Sequence, residues 1–192
     1  MRPSHASPAP TIKKARSIRG HKLVFRDADV GDAQFILSIR TDPARSAYLS
    51  ETSADLEKQI LWLRNYRNAT NEAYFIIETL AGEDLGTVRL YDPRACSFSW
   101  GSWVLKTGVP TTYAIEAALM VYHYALYTLG FSAAHFHVRK GNKSVWQFHE
   151  RFGAKRMAET ELDYVYAIDK HEIKRSLARY AKYLPESIEV TL

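Results

Sequence analysis

Residues 98–153 limit the folds open to this chain more tightly than any other stretch. The stretch begins with a tryptophan-rich strand, passes through a turn into a long helix with a broad apolar face, and returns as a second strand. A short helix then begins at Asn142 and ends near Phe152. This order places a helix N-terminus beside a break between two strands, an arrangement that proteins use to hold phosphorylated ligands.

The chain has 192 residues, of which 46% are hydrophobic, and is therefore long enough to bury a core. Its size favours a single domain with short tails, and we place that domain at residues 21–192. Residues 1–20 are rich in Pro, Ser, Arg and Lys and lack an apolar centre, so they are predicted to form a flexible basic tail and not a signal peptide. The net charge of +5 suits an anionic small molecule as well as a nucleic acid and does not separate these partners.

The single cysteine, Cys96, excludes an internal disulfide framework and favours a reducing, cytoplasmic compartment. No apolar run approaches the roughly 18 residues that a membrane-spanning helix requires, so no membrane insertion is predicted. Basic and aromatic residues do not alternate as they do in the grooves of single-strand binders. Nucleic acid therefore ranks last among the expected partners, although the basic tail keeps an RNA or ribosome partner as an alternative.

Periodicity and capping signals predict a first strand at residues 23–26, followed by two helices. Asp29 or Asp32 caps the first helix, and the capping box Thr52-Ser53-Ala54-Asp55 begins the second. Three antiparallel strands come next, and alternating helices and strands complete the chain. Their predicted ranges are 73–80, 85–91 and 97–105 for the strands, then helix 113–129, strand 133–138, helix 144–152, one or two strands within 156–168, and helix 172–183.

This order of elements resembles the GCN5-related N-acetyltransferase (GNAT) superfamily over residues 22–178. The resemblance implies an α+β protein with the acyl-CoA N-acyltransferase fold, a mixed, mostly antiparallel sheet flanked by helices on both faces. The segments that carry it are the Leu23-Val24-Phe25-Arg26 strand, the hairpin with Gly86, the Trp100-Gly101-Ser102-Trp103-Val104 strand, the helix with Glu116-Ala117, and residues 142–153.

The family resemblance further implies acetyl-CoA as co-substrate and no metal. In this family two neighbouring strands splay apart, and the pantetheine arm of acetyl-CoA pairs with the free backbone in the gap. Trp103, Val104 and Leu105 would present that backbone. Trp100 and Trp103 can equally be core or rim aromatics, because backbone pairing requires no particular side chain.

The phosphate-binding loop departs from the family pattern Gln/Arg-x-x-Gly-x-Gly/Ala. The aligned residues are Val109-Pro110-Thr111-Thr112-Tyr113-Ala114, in which only the final small residue matches. In one interpretation Thr111, Thr112, Tyr113 and Ala114 still bind the phosphates through backbone amides and hydroxyls, with Lys106 or Lys143 supplying charge. In the other, the loop no longer holds CoA tightly.

Residues 142–153 are similar to the family segment Asn-x-Ala/Ser-x-x-x-Leu-Tyr-x-x-x-Gly-Phe. The similarity implies that Asn142 and Ser144 contact the cofactor and that His149 stands where the family has the tyrosine that protonates the departing thiolate. A protonated imidazole is a competent general acid near neutral pH, so His149 is the predicted catalytic residue. The alternative is a polar residue at a helix end.

No carboxylate precedes Gly101, where some family members carry a base, so the amine is expected to lose its proton to water or to arrive neutral. His135 and His137 alternate along one strand, and they are expected to line the groove or face solvent. A third metal ligand at a recognisable spacing is missing from the sequence pattern, so a metal site is not predicted.

The resemblance places the acceptor pocket at the first two helices and the third strand, and nominates Arg40, Arg45, Tyr48, Arg89 and Tyr91. Arginines in such a pocket suit phosphate or carboxylate; each can also be a solvated surface charge. Ile39-Arg40-Thr41-Asp42-Pro43 is similar to the Trp-Arg-Asn-x-Pro motif of enzymes that acetylate nucleotide-linked amino sugars, and also to ribosomal-protein N-terminal acetyltransferases.

These patterns predict an N-acetyltransferase that moves the acetyl group of acetyl-CoA to a primary amine by direct attack in a ternary complex. The acceptor is a small or nucleotide-linked amine, and a homodimer is compatible with the pattern. Two alternatives stay open at this point: a protein N-terminal acetyltransferase, and a catalytically weak CoA-binding regulatory domain.

Overall fold

The structure, a computed structural model, describes residues 8–43, 47–49 and 52–192. The strands are β1 (Ser17–Arg19), β2 (Leu23–Asp27), β3 (Ala73–Thr79), β4 (Asp84–Arg94), β5 (Ser97–Leu105), β6 (Ala133–Arg139), β7 (Lys155–Glu159), β8 (Asp163–Asp169) and β9 (Glu189–Thr191). The α-helices are α1 (Ala33–Thr41), α2 (Leu56–Asn68), α3 (Thr111–His123), α4 (Lys143–Arg151) and α5 (Lys170–Arg179).

The nine strands form one sheet in the order β7-β8-β6-β5-β4-β3-β2-β1-β9. Every neighbouring pair is antiparallel except β5 and β6, which run parallel. A parallel pair requires a crossover connection, and α3 supplies it. The predicted α+β class with a mixed, mostly antiparallel sheet is confirmed.

The two faces of the sheet carry different helices. On one face, Ile36 of α1 and Leu63 of α2 are buried with Tyr74 of β3. On the other, Leu119 of α3 and Ile173 of α5 belong to the larger core cluster. Because side chains alternate along a strand, the sheet can fill both cores at once, as the prediction of helices on both faces requires.

The N-terminal segment differs from the predicted flexible tail. Ile12, Ala15 and Ile18 are buried, and β1 pairs with both β2 and β9. These apolar residues are separated by basic ones, which hides them in a composition average but leaves them free to cover one edge of the sheet. Residues 8–20 are therefore part of the fold, whereas residues 1–7 lie outside the described part of the chain.

The start of α2 differs from the predicted capping box. The cap is Asp55, whose carboxylate accepts hydrogen bonds from the amides of Glu57 and Lys58. Thr52, three residues earlier, accepts a hydrogen bond of 2.8 Å from Nε of Arg40 instead. The hydroxyl of Thr52 is therefore bound by Arg40 and does not cap the helix.

Helix α3 and the helical turn that follows it agree with the predicted helix, residues 113–129, to within two residues at each end. After His123 it continues as a π-helical turn, Tyr124–Thr128, before Gly130 reverses the chain with a φ of +85°. Buried Glu116 accepts hydrogen bonds from the amides of Lys22 (2.7 Å) and Leu23 (3.1 Å), which fixes α3 against the start of β2.

Among the described residues, none of the helices is long and apolar enough to cross a membrane.

Candidate active site

Strands β5 and β6 separate soon after they meet. Their backbone pairing is confined, within the described residues, to Ser97 with Ala133 and Phe98 with Ala134. Beyond this point a cavity of about 290 Å³ opens between them, which we call the inter-strand cavity. It is lined by Arg40, Tyr48, Leu49, Tyr91, Trp100, Gly101, Ser102, Trp103, Phe136, His137, Val138, Arg139, Asn142, Val145, His149 and Asp163.

A bulge in β5 helps to open this cavity. The register between β4 and β5 shifts between Thr87 and Arg89, and Ser102 opposite has a φ of +45°. Thr87, which is fully buried, donates its hydroxyl to the carbonyl of Ser102 at 2.8 Å. A positive φ costs a residue with a side chain about 1 kcal/mol or more, so this turn of the backbone is held in place by its surroundings.

His149 lies at the inner end of the inter-strand cavity and is only 5% exposed. Its ring is 4.3 Å from that of Phe136 and 5.2 Å from that of Trp100, measured between centroids. Its Nδ1 is buried without a hydrogen-bond partner among the described residues. Burial lowers the pKa of His149 to about 3, so the imidazole is neutral at pH 7. The protonated imidazole that the sequence predicted as general acid is therefore not the form present.

Two indole nitrogens near His149 also lack partners. Nε1 of Trp100 and Nε1 of Trp103 are buried without a hydrogen bond among the described residues, and their ring centroids lie 5.2 Å and 6.2 Å from that of His149. Buried donors and acceptors in folded proteins are nearly always satisfied. Indole N–H groups and an imidazole nitrogen that lack partners in the lining of one cavity are suited to polar atoms of a bound molecule.

The predicted phosphate-binding residues lie outside the inter-strand cavity, at the N-terminus of α3. The preceding turn contains Gly108 with a φ of +87°, and Pro110 occupies the cap position without a side-chain hydrogen bond to the helix. Thr111 and Thr112 are exposed. The first amides of a helix have no partner within it, so this end presents N–H groups and a partial positive charge.

The other predicted cofactor residues divide between the cavity and its surroundings. Trp103 and Asn142 line the cavity. Val104 is buried and Leu105 half-buried farther along β5. Ser144 is exposed and donates to Oδ1 of Asn142 at 3.3 Å, at the start of α4.

A second cavity of about 300 Å³ opens on the sheet face that α1 and α2 cover; we call it the outer cavity. It is lined by Ile36, Arg40, Thr52, Ser53, Lys58, Gln59, Trp62, Tyr74, Arg89 and Ser102. Arg40 and Ser102 line both cavities, so the two adjoin at these residues. The predicted acceptor residues are split between them, with Arg89 in the outer cavity and Tyr48 and Tyr91 in the inter-strand cavity.

Three cations and two aromatic side chains, Trp62 and Tyr74, line the outer cavity. Arg40, Lys58 and Arg89 line it, and no carboxylate is among the described residues that do. Arg89 forms an ion pair with Glu72, just outside, and its guanidinium lies 5.2 Å from the ring centroid of Trp62. A concave site lined by one sign of charge concentrates ligands of the opposite sign, so this cavity favours an anion.

Sequence reasoning missed most of the outer cavity. Lys58 and Trp62 are four residues apart on α2, beside the apolar stripe that faces the core, and this spacing puts them on one helix face. This spacing was the only sequence signal for the pair, because the sequence does not show that this face of α2 meets β4. Arg45, another predicted acceptor residue, lies outside the described residues.

The two histidines of β6 have different surroundings. His135 is hydrogen-bonded through Nδ1 to Ser97 Oγ (2.8 Å) and through Nε2 to Asp92 (3.3 Å). His137 is exposed and lines the inter-strand cavity. In the described part of the chain, no three His, Cys, Asp or Glu side chains are grouped so as to hold a metal ion.

Comparison with known proteins identifies the family. Residues 22–155 match the acetyltransferase (GNAT) domain model. A solved structure described as apo FdhC, a nucleotide-linked sugar GNAT, is 36% identical, with a TM-score of 0.78 over 88% of this chain and 98% of that chain. No curated protein sequence matches the chain.

Two further solved structures share the fold at lower identity. A GCN5-related N-acetyltransferase from Brucella melitensis is 17% identical, with a TM-score of 0.76 over 94% of this chain and 90% of its own. A GNAT-family acetyltransferase from Bacillus anthracis is also 17% identical, with a TM-score of 0.70 over 81% of this chain and 99% of its own. The splayed strands, the open helix N-terminus and these matches agree, and the chain belongs to the GNAT family of acetyltransferases.

Proposed function

We propose that this protein transfers the acetyl group of acetyl-CoA to the primary amine of a nucleotide-linked amino sugar, by direct attack in a ternary complex. The observation that carries this proposal is the outer cavity, where three cations and a tryptophan adjoin the gap between β5 and β6. A nucleotide-linked sugar has both a pyrophosphate for the cations and a base for an aromatic ring. The similarity to a nucleotide-linked sugar GNAT supports the same acceptor class.

The residues present fit acetyl-CoA. The free backbone of β5 beyond Ser102 can pair with the amide groups of the pantetheine arm, and Asn142 lies on the opposite wall. The N-terminus of α3, with Thr111 and Thr112 exposed, can bind the pyrophosphate through backbone N–H groups without the glycines of the family pattern. Side-chain cation charge is then a secondary contribution to phosphate binding.

The proposed role of His149 changes with its charge state. A neutral imidazole carries one N–H and one free nitrogen, so it can donate a hydrogen bond but cannot act as an imidazolium acid. Together with the N–H of Trp103, it would orient the thioester end of acetyl-CoA. Catalysis by orientation of a good nucleophile and a reactive thioester does not require a strong acid.

The acceptor class is tested by measuring free thiol release from acetyl-CoA with four sets of amines. These are nucleotide-linked amino sugars, the same sugars without the nucleotide, polyamines, and peptides with a free N-terminus. We expect turnover with the first set and a kcat/KM at least about 100-fold lower when the nucleotide is removed, because the cations lose their partner. Preference for peptides would support the N-terminal acetyltransferase alternative, and acetyl-CoA binding without turnover would support the regulatory one.

Removing one cation from the outer cavity is expected to weaken binding of the acceptor without weakening binding of acetyl-CoA. In Lys58→Ala, the KM for the nucleotide-linked acceptor rises about tenfold, since one ionic hydrogen bond is worth about 1.5 kcal/mol. The KM for acetyl-CoA does not change. The matched control is Arg64→Ala, an exposed cation on the same helix that does not line the cavity. Equal effects of the two substitutions would show a general charge effect and contradict the proposed binding mode.

A further inference from the structure

We infer that His137 accepts the proton that the acceptor amine loses when it attacks the thioester. This inference rests on the proposed acetyl transfer and answers a question that the sequence left open. The strand position that holds a carboxylate in some relatives is part of Ser99-Trp100-Gly101 here, which offers no base.

The face of the sheet on which His137 lies is the first argument. In the strand pairings, Tyr74 is opposite Arg89 and Arg89 is opposite Gly101, so these residues share one face. The hydrogen bond between Ser97 and His135 continues that face onto β6. His137, two residues beyond His135, therefore lies on the same face as the outer cavity.

His149 approaches the inter-strand cavity from the other side. It contacts Phe136, whose side chain points into the core opposite His137. An acceptor held in the outer cavity reaches the gap past Arg40 and Ser102, on the face of His137. A thioester lying in the gap then has His149 on one side, and the incoming amine and His137 on the other.

The other titratable groups around the inter-strand cavity are less suited to accept the proton than His137. The cavity is also lined by Arg40, Tyr48, Tyr91, Arg139, Asp163 and His149. Arginines have no proton-accepting capacity, and tyrosine phenols are protonated at neutral pH. The carboxylate of Asp163 is 3.4 Å from Arg139, to which it is paired. His149 is a poor acceptor because burial holds its pKa near 3.

The environment of His137 suits a proton acceptor that must release its proton again. Its neighbours on the same face of β6 are His135 and Arg139, and its partner on β8 is the uncharged Val165. Two carboxylates lie beside these neighbours, and both are engaged: Asp92 by His135 and Arg94, and Asp163 by Arg139. The exposed ring of His137 has access to solvent, so a proton that it accepts can pass on to water.

In the proposed step, one proton leaves the amine nitrogen and one reaches the departing sulfur. The lone pair of the amine nitrogen forms the new C–N bond at the thioester carbonyl carbon, and the imidazole of His137 takes one proton from that nitrogen. The C–S bond then breaks with its electron pair going to sulfur. The proton held by the imidazolium reaches the thiolate through solvent, so the products are an amide and a free thiol and nothing is oxidised or reduced.

The test is the pH dependence of kcat/KM for the full-length wild-type protein, His137→Gln and His135→Gln, with saturating acetyl-CoA and a nucleotide-linked amino sugar. We expect His137→Gln to lower kcat about 100-fold and to leave the KM for acetyl-CoA unchanged. The pH profile of the variant should also lack the fall in activity at acidic pH that an imidazole base causes. Only the fall that comes from protonation of the acceptor amine should remain. Added imidazole should restore part of the activity. His135→Gln, the matched control on the same strand face, should keep the wild-type profile.

The results that would contradict the role of His137 differ from those that would contradict the proposed function. A His137→Gln enzyme within about twofold of the wild-type rate, or a slower one with the wild-type pH profile and no rescue by imidazole, overturns the role of His137 while the proposed function stands. Absence of turnover by the wild-type protein on every amine overturns both. Because His137 is exposed, circular dichroism and the melting temperature are expected to show that its variant is folded as the wild type is.

Discussion

His149→Phe is expected to make this protein more stable and less active at once. The substitution replaces a buried imidazole, whose Nδ1 lacks a partner among the described residues, by a ring of similar size among aromatic neighbours. Removing a buried unsatisfied polar group is worth about 1–3 kcal/mol, so the free energy of unfolding should rise by about 2 kcal/mol at pH 7.5. Urea denaturation of the two proteins measures this difference.

The same substitution should change how stability depends on pH. In the folded protein the pKa of His149 is lowered from 6.5 to about 3, so the unfolded chain binds the proton first as the pH falls. The wild type therefore loses about 1.4 kcal/mol for each pH unit between 6.5 and 3 on account of this residue, and the variant does not. Between pH 7.5 and pH 4.5 the advantage of His149→Phe should grow by about 3 kcal/mol.

The activity of His149→Phe shows whether His149 takes part in the reaction or only occupies space in the core. We expect kcat to fall about tenfold or more as the thioester loses one hydrogen-bonding group, with little change in the KM for the acceptor. His123→Phe is the control, because it also removes a buried Nδ1 that lacks a partner among the described residues, in a groove remote from both cavities. An unchanged kcat in His149→Phe would remove this histidine from the proposed mechanism.

Gly86→Ala is expected to be the most disruptive single-methyl change near the site. A Cβ at this position would lie 2.1 Å from the carbonyl oxygen of Val104 and 2.8 Å from a methyl of Leu105. Because the obstructing atom is backbone, β4 and β5 must move apart where they pair. We expect a loss of about 3 kcal/mol in the free energy of unfolding, at the upper end for overpacking.

The displacement should also weaken acetyl-CoA binding, because Val104 and Leu105 belong to the backbone proposed to hold the pantetheine arm. Gly82→Ala is the control, since it lies in the β3–β4 turn with nothing within 4 Å of the added Cβ. Its φ of +82° still costs the variant about 1 kcal/mol, without an effect on the KM for acetyl-CoA. If Gly86→Ala and Gly82→Ala proved equally stable and equally active, the close approach of β4 and β5 would be refuted.

Local patterns in the sequence were sufficient for the order of the elements from β2 to α5, but they predicted neither β1 nor β9. Apolar spacing predicted the β3–β4 hairpin, β5 and α4 close to their final bounds, because each buries one face in the core. The N-terminal segment was mispredicted because Ile12, Ala15 and Ile18 are separated by basic residues, which hides them in a composition average. Their burial depends on β2 and β9, which come from distant parts of the chain.

The sequence predicted those residues of the candidate site that lie together in one segment of the chain. The segment from Asn142 to His149 was found because its helix has a recognisable spacing. Lys58 and Trp62 were not, because they become a cavity wall only where α2 packs beside β4 and Arg89. Thr52 was assigned to a helix end because its hydroxyl suits either role, and the contact with Arg40 decides between them.

The sequence by itself determined the α+β architecture, the family pattern and the position of a histidine where a tyrosine is usual. It did not determine the charge of that histidine, because protonation depends on how far the ring is removed from water. Trp100, Phe136 and Phe148 come from three separate elements and exclude solvent from His149 only after β5, β6 and α4 have packed together. The tertiary structure alone decided that His149 is neutral and that His137, twelve residues earlier and on the other face of the sheet, is exposed.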